Sequence, residues 1–149
     1  MSHTPRVALL MGSSRSYERG LIHGIAKYSA LHGPWHFYRD IPSVAGGREL
    51  STDALRDWAP DGIILREQKN MDAVLDLGLP TVISPSQRII PGYANIRSND
   101  DQIGRLGAEH LIDCGLRHFA YCGMDHIFVW SRGRRDGFCR RIARIGQEI

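Results

Sequence analysis

The chain has little of what most function classes require. No apolar run approaches the ~20 residues a membrane helix needs; the stretches Val7 to Met11 and Gly62 to Leu65 have the length of strands. Cysteine is scarce, with Cys114, Cys122 and Cys139 an odd number at spacings of eight and seventeen. That spacing suits neither a metal site nor a disulfide framework, so all three are expected to be buried or half-buried thiols. There is no Gly-x-Ser-x-Gly elbow, no His-Glu-x-x-His and no Cys-x-x-Cys, and the scattered histidines and aspartates form no visible triad. Gly12 to Ser16 contains neither a Gly-x-Gly-x-x-Gly nor a Gly-Lys-Ser/Thr sequence, so a phosphate cradle has no support. No catalytic residue, metal ligand or cofactor is therefore expected, and ligand binding takes precedence over catalysis. Met1 to Arg6 offers no apolar signal region or cleavage site, which makes a cytoplasmic location the default.

At 149 residues and 42% hydrophobic, the chain can bury one ordinary core and reads as a single lobe over 1–149. No internal repeat, low-complexity tract or interdomain linker interrupts it. The net charge of +3 is uneven: residues 132–149 carry six of the 19 basic side chains and two of the 16 acids. This basic end reads as a solvated helix face, or as a surface that meets another part of a longer chain. Direct contact with DNA usually needs a broader footprint.

Strand and helix patterns alternate from the start, which argues for a doubly wound α/β domain with a parallel sheet covered on both faces. Strands are expected at Arg6 to Met11, Trp35 to Arg39, Gly62 to Leu65 and Thr81 to Ser84, with a short one at Asn95 to Arg97. Ser13 to Ser16 supplies loop and cap residues for a helix from Tyr17 to Leu31, whose apolar positions are Leu21, Ile22, Ile25 and Tyr28. A Gly- and Pro-containing loop spans Asp40 to Glu49. Thr52 to Trp58 reads as a short helix with Leu55 and Trp58 inward. Asn70 is placed to cap another helix carrying Met71, Val74 and Leu75, which Gly78 stops.

The stretch from Asn95 to Phe138 is the most informative. After the polar switch Ser98-Asn99-Asp100, the residues Ile103, Leu106, Gly107, His110, Leu111 and Cys114 recur at helical spacing and define one packing face, and Gly115 is a natural C′ residue. His110 on that face reads as a packing residue. A further strand is expected at Phe119 to Gly123, followed by an arginine-bearing helix with Phe138, Ile142 and Ile145 on one side. Such an order places carboxylate, amide, aromatic and guanidinium groups at the carboxyl ends of parallel strands, where open α/β sheets bind small ligands.

The run from Ile96 to Gly123, with its acidic switch, its glycine-containing helix ending in His110-Leu111 and its Gly115 turn, resembles the lactose-repressor and galactose-repressor family. Arg134-Arg135-Asp136-Gly137-Phe138 matches that family's Arg-x-x-Gly-Phe element. With Tyr17-Glu18-Arg19 and Trp130, the nearest likeness is to the sensor domain of xylose-operon regulators. The resemblance implies one lobe, the amino-terminal one, of a type I periplasmic-binding-protein-like sensor. It further implies a sugar effector bound between two lobes, DNA contacted only through a domain outside this chain, no membrane association and a homodimer. A small flavodoxin-like α/β enzyme or cofactor carrier is the alternative; a transport binding protein is a third reading, which would need an export signal.

Seven residues are candidates for the ligand. The Arg134 guanidinium offers a planar fork that can hold adjacent sugar hydroxyls, and the family's matching arginine binds effector; otherwise it pairs with Asp136 or Glu148 on a helix face. Trp130 offers a flat ring to sugar C–H patches, or sits at the edge of the core under the loop. Of Asn99 and Asp100, one is expected to cap the helix and the other to reach the ligand. Ser13, Arg15 and Tyr17 border the first strand's carboxyl end, where they close over a ligand or simply form a capped turn facing solvent. Glu18 and Arg19 are expected at the surface or in dimer contacts.

Overall fold

The computed structural model describes residues 3–39, 52–67 and 71–147, which form two compact units, residues 1–96 and 97–149. The loop expected from Asp40 to Glu49, the Asn70 cap and Glu148 lie outside the described residues. Among the described residues no helix is long and apolar enough to cross a membrane.

The first unit is built on β1 (Arg6–Leu10), α1 (Ser16–His32), β2 (His36–Arg39), α2 (Thr52–Trp58), β3 (Gly62–Leu65), α3 (Met71–Leu75), β4 (Thr81–Ile83) and β5 (Ala94–Asn95). The strands form one parallel sheet in the order β2-β1-β3-β4-β5. Side chains alternate across a strand. Ala8, Leu10, Ile63, Leu65 and Ile83 thus share one face and pack with Leu55 of α2 and Met71, Val74 and Leu75 of α3. Trp58 closes that core against Tyr38, with the Arg6 guanidinium 4.6 Å from its ring centroid. On the opposite face, Leu9 and Met11 are buried, and Glu18 in the first turn of α1 pairs with Arg66 just after β3.

Two expectations for α1 change. Tyr28 is half exposed and stacks on His32 at 4.0 Å, while the neighbouring Ser29 is buried and its Oγ accepts the Trp35 N–H at 3.0 Å. The inward row is Glu18, Ile22, Ile25 and Ser29, a helical repeat that the apolar residues alone do not reveal. Nor does a serine side chain cap the helix. Arg15 holds the N-cap position in extended conformation with no side-chain cap bond, and the turn is tied instead by Arg19 Nη1, which donates to the Ser13 and Ser14 carbonyls at 3.1 and 2.8 Å.

The second unit pairs α4 (Asp100–Asp113) with α5 (Val129–Ala143). Ala108, Phe138 and Ile142 form its buried centre, supported by Leu111, Ile112, Phe119 and Tyr121. Here the packing face expected for α4 is corrected. Ile103 and Leu106 are 42% and 51% exposed, and His110 and Cys114 are exposed as well, whereas Gly104 and Ala108 are the buried positions. Two helices that cross this closely meet through small residues, so bulk on the neighbouring face is left outside. Gly115 does end the helix, at φ 79°, with its N–H on the Ile112 carbonyl and the Leu116 N–H on the Leu111 carbonyl.

The strand expected at Phe119 to Gly123 does not form: Phe119 and Tyr121 turn inward and Ala120 and Cys122 outward, but no described segment of the unit offers them a ladder. Alternation sets side-chain direction, whereas a strand also requires a partner backbone. The cysteine expectation fails for Cys114 and Cys122, both exposed, and holds for half-buried Cys139. Ile145 lies beyond the end of α5 and is 39% exposed.

Candidate functional site

In the second unit the polar switch and the start of α5 come together around Arg134. Asn99 is the N-cap of α4: its Oδ1 accepts the Gln102 backbone N–H at 3.1 Å, and its Nδ2 donates to Gln102 Oε1 at 3.3 Å. Asp100, one residue on, turns instead to Arg134, whose Nε donates to Asp100 Oδ1 at 3.1 Å; the Ser98 hydroxyl donates to the same oxygen at 2.9 Å. Arg134 Cζ lies 4.7 Å from the Trp130 ring centroid, and Trp130 stacks on Phe128 at 5.3 Å. One edge of the guanidinium is therefore fixed by a carboxylate and its plane by a ring. The two Nη groups have no protein partner among the described residues.

The local sequence explains this geometry. Asn at position 99 starts α4 and leaves Asp100 in its first turn, where a carboxylate also favours the helix dipole. Ser131 anchors the start of α5: its Oγ accepts the Met124 N–H at 2.9 Å and its carbonyl accepts the Tyr121 hydroxyl at 3.0 Å. That anchor fixes where Trp130 and Arg134 emerge. The two helices approach closely at two glycines. A β-carbon on Gly137 would lie 3.0 Å from Asp101 Cα and closer to its carbonyl, so any larger residue would separate the elements that carry the carboxylate and the guanidinium.

The basic end of the chain proves to be largely paired. Arg140 meets Asp101, Arg141 meets Glu109 at 3.3 Å, and Arg135 meets Asp125 and Asp136. The Asp136 carboxylate, followed by Asp125, holds Arg135 above its ordinary pKa, so its charge is constant. Asp136 thus serves Arg135, and the partner of Arg134 is Asp100.

In the first unit, Ser13 and Arg15 sit on the turn after β1 and Tyr17 in the first turn of α1, all with their side chains exposed. Glu18 differs from its expected surface position. It is 2% exposed, and its Oε1 accepts from Arg66 Nη1. The signal for burial was its helical register with Ile22, Ile25 and Ser29; nothing in the sequence marks Arg66 beyond its place directly after an apolar strand.

No protein-family model and no curated protein matches the chain. Solved structures do. It is similar to a periplasmic binding protein/LacI transcriptional regulator from Alkaliphilus metalliredigens complexed with D-xylulofuranose, with a TM-score of 0.76 and 18% identity, over 98% of this chain and 55% of that one. It is also similar to a LacI transcriptional regulator from a Rhodococcus species, with a TM-score of 0.76 and 19% identity over 95% of this chain and 53% of that one. For the lac repressor dimer bound to operator and the anti-inducer ONPF the values are 0.68 and 16%, over 98% and 46%. The chain spans about half the length of the solved structures it matches. At these identities the likeness establishes the fold, a parallel α/β sheet with flanking helices as in the periplasmic-binding-protein-like domains of LacI-type regulators.

Proposed function

We propose that this chain is part of the effector-sensing region of a transcription regulator, and that it binds a neutral monosaccharide, a pentose such as xylose, through Arg134. The observation that carries the reading is the Asp100–Arg134–Trp130 arrangement. A guanidinium held by one carboxylate and one ring presents its remaining donors in fixed geometry, which suits a pair of adjacent sugar hydroxyls. Asp100 offsets its charge, which favours a neutral ligand over an anion. The fold and the sugar-bound regulator among its structural neighbours support the same class.

Residues 1–149, expected as one amino-terminal lobe, form two compact units, 1–96 and 97–149, and both would belong to that region. The exposed Ile103 and Leu106 face of α4 and the unpaired segment Phe119 to Gly123 agree with a unit completed by further chain. DNA contact would reside in a separate domain, with regulation through a homodimer in the cytoplasm. Effector would shift that dimer between two states by its difference in affinity for them. Isothermal calorimetry of the full-length protein with D-xylose, D-xylulose, D-ribose and D-glucose tests the proposal. Heat with one sugar, lost in R134A, supports it; no heat with any of the four overturns it.

A further inference from the structure

The last turn of α4 carries two metal-ligating side chains that share no residue with the group around Arg134. His110 and Cys114 are both exposed, and the Cys114 Sγ lies 3.9 Å from the His110 Nε2. Residues four apart on a helix stand one above the other, and each side chain leans toward the preceding turn. The thiol therefore reaches back over the imidazole. Spacing between the cysteines hides this pair, because the partner of the thiol is a histidine.

The separation is long for a contact between a thiol, a weak donor, and a ring nitrogen. It is close to the bite of a chelate. A tetrahedral zinc ion, with its nitrogen ligand at about 2.0 Å and its sulfur at about 2.3 Å, holds the two ligand atoms about 3.6 Å apart. Exposed side chains reach that distance by small changes in their torsions. The backbone beneath them is already fixed: the Cys114 N–H is on the His110 carbonyl at 3.0 Å, and the Gly115 turn follows directly. Folding thus brings the two ligands together before any ion arrives. A cation at this place also lies at the carboxyl end of α4, where the helix dipole favours positive charge.

We propose that His110 and Cys114 form a two-point binding site for a divalent cation that prefers nitrogen and sulfur, of which zinc is the representative. The donor set selects the class, since imidazole and thiolate suit zinc or cadmium, whereas calcium and magnesium take oxygen ligands. His110 binds as the neutral imidazole through Nε2, and the thiol proton passes to solvent as the zinc–sulfur bond forms. Among the described residues no third histidine, cysteine, aspartate or glutamate joins the pair, so water completes the tetrahedron. The bound ion clips the last turn of α4 from His110 to the residue before the Gly115 turn. The inference is independent of the sugar reading.

The test is calorimetry of the full chain with zinc chloride under a phosphine reductant, with cadmium as an optical probe through its thiolate charge-transfer absorption. The unsubstituted protein is compared with H110A, C114S and, as the control at another exposed thiol, C122S, each checked by circular dichroism. The expected result is one zinc per chain, with affinity about tenfold or more lower in H110A and in C114S, at least what loss of an outer partner of a metal site costs, and unchanged in C122S. Zinc should raise the melting temperature of the unsubstituted protein and of C122S but not of the other two, and the cadmium band should vanish in C114S. Absence of saturable zinc binding overturns the inference, as does unchanged affinity in C114S. Full affinity in H110A with loss in C114S assigns the metal to the thiol alone and overturns the chelate. An equal rise in melting temperature with magnesium or calcium overturns the assigned class of ion.

Discussion

Gly104 of α4 passes so close to Arg134 of α5 that a β-carbon at position 104 would lie 2.9 Å from the Arg134 Cα and closer still to its carbonyl oxygen. Gly137 repeats the relationship in reverse against Asp101. The two glycines set the spacing of the helices, and with it the reach of Arg134 to Asp100. The residue proposed to bind sugar is thus placed by two positions that carry no side chain.

Replacing either glycine by alanine forces the helix backbones apart. G104A and G137A are each expected to destabilise the protein by about 1–3 kcal/mol and to weaken sugar binding. G107A provides the contrast, because nothing lies within 4 Å of a β-carbon there. It is expected to raise stability by up to about 1 kcal/mol through helix propensity alone. Urea unfolding followed by circular dichroism separates the three.

Asn99 and Asp100 are neighbours with different tasks, and their variants should part accordingly. N99A removes the cap on the Gln102 N–H and is expected to cost about 0.5–2 kcal/mol of stability, with N99D retaining most of it. Sugar affinity should change little, because the Asn99 side chain is engaged with Gln102. A larger loss of affinity in N99A than in D100N would reverse this assignment.

For the Arg134 fork, R134K is the informative change: it keeps the positive charge and removes the planar donors. Affinity is expected to fall about tenfold or more, as it should in D100N, which loses the charge-assisted hold on Nε. The melting temperature of R134K should stay close to that of the unsubstituted protein, since the lysine keeps a positive charge beside Asp100 and position 134 is about one third exposed.

Asp61 supplies a pH dependence. The Arg6 backbone N–H at 2.7 Å, and then the His3 ring at 2.8 Å, hold its carboxyl below the ordinary value of 3.8. On acidification the unfolded chain takes up this proton first. The stabilisation is therefore fully present above 3.8 and is lost as the pH falls through the depressed value. D61N should lack this contribution, so the stability gap between it and the unsubstituted protein, followed by urea unfolding, narrows with falling pH in that window.

Much of the fold was legible because its signals are local. The apolar run Gly62 to Leu65 became a central strand, Leu55, Met71, Val74 and Leu75 became core, and Gly115 ended α4. The switch at Asn99 and Asp100 was legible as a helix start, though not which of the two would cap. Where local signals conflicted with packing, packing prevailed. The more apolar row of α4 was left exposed because the crossing with α5 selects Gly104 and Ala108, and Tyr28 gave its inward place to Ser29.

The order of the elements from β1 to α4 and the glycine stop at Gly115 were determined by the sequence alone, since hydrophobic period and glycine act within a few residues. Only the tertiary structure decided that Glu18 is buried against Arg66, that Asp100 holds Arg134, and that Phe119 to Gly123 goes without a ladder. Each of these depends on what a distant segment brings within hydrogen-bonding distance, and a residue's own neighbours in the chain carry no record of that.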